Sequence, residues 1–438
     1  MSAYAPPRRV LFQRSWLALA ALPLATSGCS RPRTMPEIRA SRASTTDAVL
    51  AIRLSNSPGS GSQSLAVPDG YLLLVKEDGT GTALDVGAMV GGKLLWNEAG
   101  LYLGTTHDEI LVNDAGLRRF PRGLKVLDEV LRRPTSDGRG FITFYSWDRV
   151  QSAFRGDEHG NLERTDNPGM YQVNGVYQDR LLSIVTTRYT PDLEADARRV
   201  AQQAHEAGVL AEPVPASSSL DVLVQVYPHQ DGQPVVLAAA PEDESLQPGP
   251  WYTTCYQGKV YLPTFRRAHP DAAPDNNLDP WAGHLVIQSW DLGTGARNTV
   301  PVTSPDGAPA QITAEEAFSD TGHLKGPIYT CVTRNGDVLS VDVTTGILQN
   351  RFQIPLSDKD WQSRYQVTDT DVYALDVPHD TTKPLTLTRY DLTTGTPHHL
   401  MTINNTSHYQ DGNLLTDQVF VKSIALRPSY LQQLAARS

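Results

Sequence analysis

A chain of 438 residues, 40% of them apolar, is long enough to bury a large core, as one repeating domain or as several small ones. Its formal net charge of −10 argues against nucleic acid as a partner, because phosphate backbones are held by clustered Lys and Arg. Beyond the first thirty residues no stretch approaches the roughly eighteen apolar residues that a spanning helix requires.

At the N-terminus, Arg8, Arg9 and Arg14 form a basic stretch with no acidic residue before Glu37. Trp16 to Ala25 is a short apolar run, followed by Thr26-Ser27-Gly28-Cys29. A basic region, a short apolar core and small residues before a cleavage point make an export signal. A Cys directly after small residues resembles a bacterial lipobox, although Thr26 stands where an aliphatic residue is usual. The resemblance implies removal of residues 1–28 and lipidation of Cys29, anchoring the chain to the extracytoplasmic face of the cell membrane. The pair Arg8-Arg9 loosely resembles a twin-arginine signal and leaves the export route open. Loss of the three arginines takes the mature chain to a charge near −13. Residues 29–46, rich in Arg, Ser and Pro, read as a flexible tether. The remaining cysteines, Cys255 and Cys331, are a candidate disulfide outside the cytoplasm, or else two buried thiols.

From residue 47 to 428 the chain is organised by repetition. Ile287-Gln-Ser-Trp-Asp291-Leu-Gly-Thr-Gly295, Val338-Leu-Ser-Val-Asp342-Val-Thr-Thr-Gly346 and Leu387-Thr-Arg-Tyr-Asp391-Leu-Thr-Thr-Gly395 are copies of one pattern. The aspartates are 51 and 49 residues apart. Each copy is a strand-like run, then Asp-x-x-Thr-Gly, then a second run. The Gly supplies positive φ and the Asp and Thr side chains bond to the turn, so the motif predicts a hairpin. Weaker copies place turns near Asp78, Asp114, Asp157 and Asp231. A period of about 40–50 residues with several short strands per unit marks a β-propeller. Seven turns predict seven blades of four strands, with six or eight left open by the irregular early repeats. Val49 to Leu54 and Val419 to Ile424 are expected to complete one blade together, leaving residues 429–438 as a C-terminal tail.

The three strong repeats resemble PQQ-type and WD40-like propeller repeats, particularly those of BamB-like lipoproteins. The likeness is specific over 281–403 only, and the Trp usual after the Gly is missing. It implies an all-β propeller and, by analogy, a scaffold role in the cell envelope. PQQ is not expected, since the vicinal cysteines of PQQ dehydrogenases are absent.

Two insertions interrupt the repeat, at 190–216 and 266–283. With the last blade as template, both fall between the second and third strands, on the rim opposite the Asp-x-x-Thr-Gly hairpins. In the first, Pro191, the acids Asp192, Glu194 and Asp196, and Gly208 bound a short helix with a stripe of Leu193, Ala197, Val200, Ala201 and Ala204. In the second, Asp275, Asn277 and Asp279 have the spacing of a calcium loop, but Pro280 and Val286 occupy positions that need Gly and Glu. A solvated acidic loop is the favoured reading, and no bound cofactor is expected. Trp251 and Trp281, with His269 and His284, are the candidate ligand-binding residues, because an aromatic ring on a rim can stack on a sugar or peptide. The sequence lacks a Gly-x-Ser-x-Gly elbow, a His-Glu-x-x-His motif and a phosphate loop, so no catalytic residue is assigned. The expectation is a non-catalytic surface protein that binds a protein, peptide or glycan. The alternative is an extracellular hydrolase, lyase or lactonase acting on a sugar or lactone.

Overall fold

The computed structural model describes residues 34–56, 69–147, 150–171, 173–248, 253–268, 283–310, 321–333, 335–358, 363–411 and 419–437. Their strands pair antiparallel into seven sheets, the blades of a propeller. Strands are lettered A to D from the inside of each blade outward. Blade 1 takes its A strand, Phe420–Leu426, from the far end of the chain, and its others, Leu50–Ser55, Gly70–Val75 and Gly81–Asp85, from the near end. Blade 2 is Leu94–Asn97, Gly100–Gly104, Asp108–Asn113 and Gly116–Pro121; blade 3 is Asp128–Pro134, Phe141–Trp147, Val150–Gly156 and Leu162–Pro168. Blade 4 is Val173–Tyr177, Arg180–Thr186, Leu220–Gln230 and Gln233–Pro241. In blade 5 the A strand is split into Leu246–Pro248 and Thr254–Tyr256, both paired with Lys259–Arg267, and Gly283–Asp291 and Arg297–Pro301 follow. Blade 6 is Gly322–Lys325, Ile328–Val332, Asp337–Asp342 and Leu348–Gln353; blade 7 is Arg364–Val367, Asp371–Asp376, Leu385–Asp391 and Pro397–Ile403.

The core lies in the seams between blades. Leu50, Ile52, Tyr373, Leu375 and Leu387 fill the seam from blade 7 to blade 1, and Leu262, Trp290, Leu223 and Ala238 that from 4 to 5. A blade is apolar on both faces and cannot stand alone, which is why the sequence repeats.

All seven expected turns are the C–D hairpins. Asp291, Asp342 and Asp391 each accept backbone N–H bonds through Oδ1 from the two residues before the Gly. Gly295, Gly346 and Gly395 have φ of 77°, 75° and 70°. The hairpins of Gly79, Gly160, Gly295, Gly346 and Gly395 also seat on the outer strand of the preceding blade. A Cβ on Gly346 would stand 2.3 Å from the Pro301 carbonyl oxygen, and one on Gly79 2.1 Å from that of Thr402.

The described residues nearest each end are better ordered than their composition suggests. The reading of residues 29–46 as a flexible tether is corrected from Thr34 onward. Met35 is buried in the blade 7–blade 1 seam, and the Ile38 N–H bonds to the carbonyl of Ala83 on the outer strand of blade 1. The C-terminal residues form a helix, Pro428–Ala436, with Tyr430 and Leu434 buried in the same seam. Arg427 ties both ends together, donating to the carbonyls of Thr45 (3.0 Å) and Thr46 (2.9 Å) and pairing with Asp114. Among the described residues no helix is long and apolar enough to cross a membrane.

Candidate functional site

The B–C and D–A connections share one rim, and the first insertion stands there as expected. Pro191–Leu193 is a 3-10 turn leading into the helix Glu194–Glu206. Leu193, Ala197 and Ala201 are buried against the blade 3–blade 4 seam, and Gly208 (φ 74°) ends the helix. Arg198 bonds Glu194 and the carbonyl of Ser218, pinning the helix to the returning chain.

Beside this helix, between blades 4 and 5, the rim opens into a cleft of about 280 Å³. Arg188, Tyr189, Asp221, Glu242, Asp243, Glu244 and Arg267 supply its polar lining. Arg188 bridges Glu242 (3.0 Å) and Glu244 (2.6 Å), Arg266 holds Asp243 (3.3 Å), and Arg297 holds Asp221 (2.5 Å). Carboxylates committed in this way to guanidinium groups hold a shape and are poor metal ligands. No cluster of His, Cys, Asp and Glu fit for a metal occurs among the described residues. Asp221 stands apart: burial pushes its carboxyl up to about 6, against the opposing pull of Arg297.

Large apolar side chains are exposed on the same rim. Leu127 (36%) and Met170 (54%) lie in the D–A connections on either side of blade 3, and Tyr189 (48%) begins the first insertion. All three lie in loops of this rim, on or beside blades 3 and 4.

A charged network not anticipated from the sequence lies in the seam between blades 2 and 3. Glu109 pairs with Arg122 (2.8 Å) and Arg132 (2.7 Å), and Arg132 pairs with Glu129 (2.6 Å), all with fully buried side chains. The Tyr145 hydroxyl donates to Glu109, and the Thr143 hydroxyl and the Lys93 N–H donate to Glu129. Burial pushes Glu129 up, reinforced by Glu109, while the two glutamates hold Arg132 above the usual arginine range despite burial. The apolar packing of this seam is correspondingly divided in two, around Tyr145 and Phe154 and around Tyr102 and Phe141. The sequence signal was weak: Glu109 and Arg132 sit in strands whose alternation is otherwise apolar.

Of the residues singled out from the sequence, His284 opens the C strand of blade 5 opposite Arg266, half-buried at the base of the second insertion. Cys29, Trp251, His269, Asp275, Asn277, Asp279 and Trp281 lie outside the described residues. The candidate disulfide is not formed. Cys255 belongs to the A strand of blade 5 and Cys331 to the B strand of blade 6, and both are free thiols pushed up to about 12 by burial. The pairing failed because similar sequence surroundings mark different strands of their blades.

No family model matches the chain, and no curated protein matches it. Among solved structures it is similar to AztD from Citrobacter koseri in its apo form, at 12% identity and a TM-score of 0.40, over 86% of this chain and 98% of that one. A second AztD crystal structure gives 10% identity and a TM-score of 0.40 over the same shares. The computationally designed protein Ika8 is similar at 10% identity and a TM-score of 0.35, over 75% of this chain and 80% of that one.

Proposed function

We propose that this chain is an extracytoplasmic, lipid-anchored propeller that binds a protein, peptide or glycan on the rim over blades 3 to 5, without catalysing a reaction. The observation that carries this reading is the exposure of Leu127, Met170 and Tyr189 on the rim that holds the cleft, which Tyr189 itself lines. The arginine-bridged carboxylates support it, since they offer fixed hydrogen-bonding groups for recognition.

Peptide-display and glycan-array screening of the wild type beside Tyr189→Ala and Met170→Ser tests the docking surface. Hits lost by about tenfold in either variant support it, a size expected when a central interface side chain is truncated. Hits that bind both variants as well as wild type refute it. The anchor is tested separately: Cys29→Ser should release the protein from the membrane fraction and abolish labelling by a fatty-acid analogue.

One observation favours the second reading, an extracellular hydrolase, lyase or lactonase. A carboxyl titrating near 6 in a cleft is suited to proton transfer at neutral pH. Turnover of a sugar or lactone panel that disappears in Asp221→Asn would favour it over simple binding.

A further inference from the structure

The central channel carries a second, independent feature. The A strands of blades 1, 2, 3 and 7, with the start of blade 6, enclose a cavity of about 210 Å³. Its charged lining is Lys93, Arg132, Arg133, Arg364 and Lys422, and no Asp or Glu lines it among the described residues. Among the described residues its charged lining is cationic, in a chain of net charge −10.

The backbone aims these groups. In blade 1, Arg53 pairs with Ser423 and Leu54 with Val421, so Lys422 is the extra residue of a β-bulge. A bulge redirects a side chain that regular alternation would send elsewhere. Arg364 Nε bonds the carbonyl of Lys422 (2.9 Å), joining blade 7 to the bulge. Behind Lys422 lies Arg53, fully buried and bonded to the carbonyls of Tyr71 and Gly87, with only Gly92 between their stems. The Nη1 of fully buried Arg132 has no hydrogen-bond partner among the described residues. Burial pulls Lys422 down to about 8; Arg364, Arg53 and Lys93 add to this, and Asp128 opposes it.

We propose that the central channel is an anion site, binding a small, multiply charged oxyanion, phosphate or polycarboxylate, through Lys422, Arg364, Lys93 and Arg133. Guanidinium forks match the oxygen spacing of both groups, and an ammonium adds a point charge. The anion relieves the crowding of like charges around Lys422. This site stands apart from the rim cleft, and either can fail without the other.

The test is isothermal titration of the full mature protein with inorganic phosphate and, separately, citrate, against sodium chloride at matched ionic strength. Binding of either oxyanion above the chloride control is expected, and the stronger of the two identifies the ligand class. Lys422→Met and Arg364→Gln should each weaken it about tenfold or more, the loss typical of one charged hydrogen bond, whereas Lys422→Arg should retain it. Thermal unfolding guards against misfolded variants: Lys422→Met should melt at or above the wild-type temperature without anion, yet gain nothing when it is added. The proposal is overturned if neither oxyanion binds above the control, or if binding survives in Lys422→Met and Arg364→Gln.

Discussion

Glu109 receives two arginines and a tyrosine hydroxyl inside a seam sealed from water. Neutralising Glu109 leaves the buried Arg122 without its carboxylate and Arg132 with Glu129 alone. Glu109→Gln should therefore cost about 3–5 kcal/mol, read as a lower urea midpoint. Lys422 makes the opposite kind of prediction. Its pKa is near 8 in the folded protein and at the ordinary lysine value when unfolded, so between these the unfolded chain binds more protons. The stability of the wild type relative to Lys422→Met should rise as pH increases from about 8 toward 10.5, since the variant keeps every other titrating group. A difference between wild type and Lys422→Met that is flat across this window would contradict the burial of Lys422 and its crowding by Arg364, Arg53 and Lys93.

At the level of the element, the hairpin glycines serve both their own turns and the neighbouring blade. Gly295 has no atom closer than 3.5 Å to a built Cβ, the nearest being the Ala238 Cβ, so Gly295→Ala meets mainly the left-handed backbone penalty of about 1–2 kcal/mol. Gly346→Ala meets the same penalty plus a collision with the Pro301 carbonyl, and should cost about 3 kcal/mol or more. Denaturant unfolding of the two variants side by side checks the order. The turns were legible in the sequence because Asp, Thr and Gly are dictated by local geometry. The insertion helix was legible for the same reason, through Pro191 and Gly208. The Glu109 network, the cleft and the cationic channel were not, because each joins residues from separate blades and no local pattern records which will meet. The docking of Met35 and Ile38 was hidden similarly: an Arg- and Ser-rich composition describes a segment's own solubility and says nothing of an outer strand waiting at Ala83.

For the whole molecule, the ring is a closed series of seams, and closure depends on one non-covalent pairing. Leu50–Ser55 meets Phe420–Leu426 along its length, and Arg427 and the helix Pro428–Ala436 fasten the joint. Truncation after Asp411 should remove that strand, expose the edge of Leu50–Ser55 and the seam around Tyr373, and give a chain that associates through its open ends. Size-exclusion chromatography checks this, and a monomeric, cooperatively folded truncation would contradict it.

The joint also sets an order of events. The last strand of the chain is the innermost strand of the first blade, so a growing polypeptide can assemble six blades and still be an unfinished arc. Until Phe420–Leu426 emerges, Leu50–Ser55 waits with bare hydrogen-bonding groups, and the axial cavity lacks the wall that carries Lys422. An incomplete chain therefore lacks Lys422 at its axis as well as the joint that closes its ring, and a truncated product carries both defects from the moment it is made.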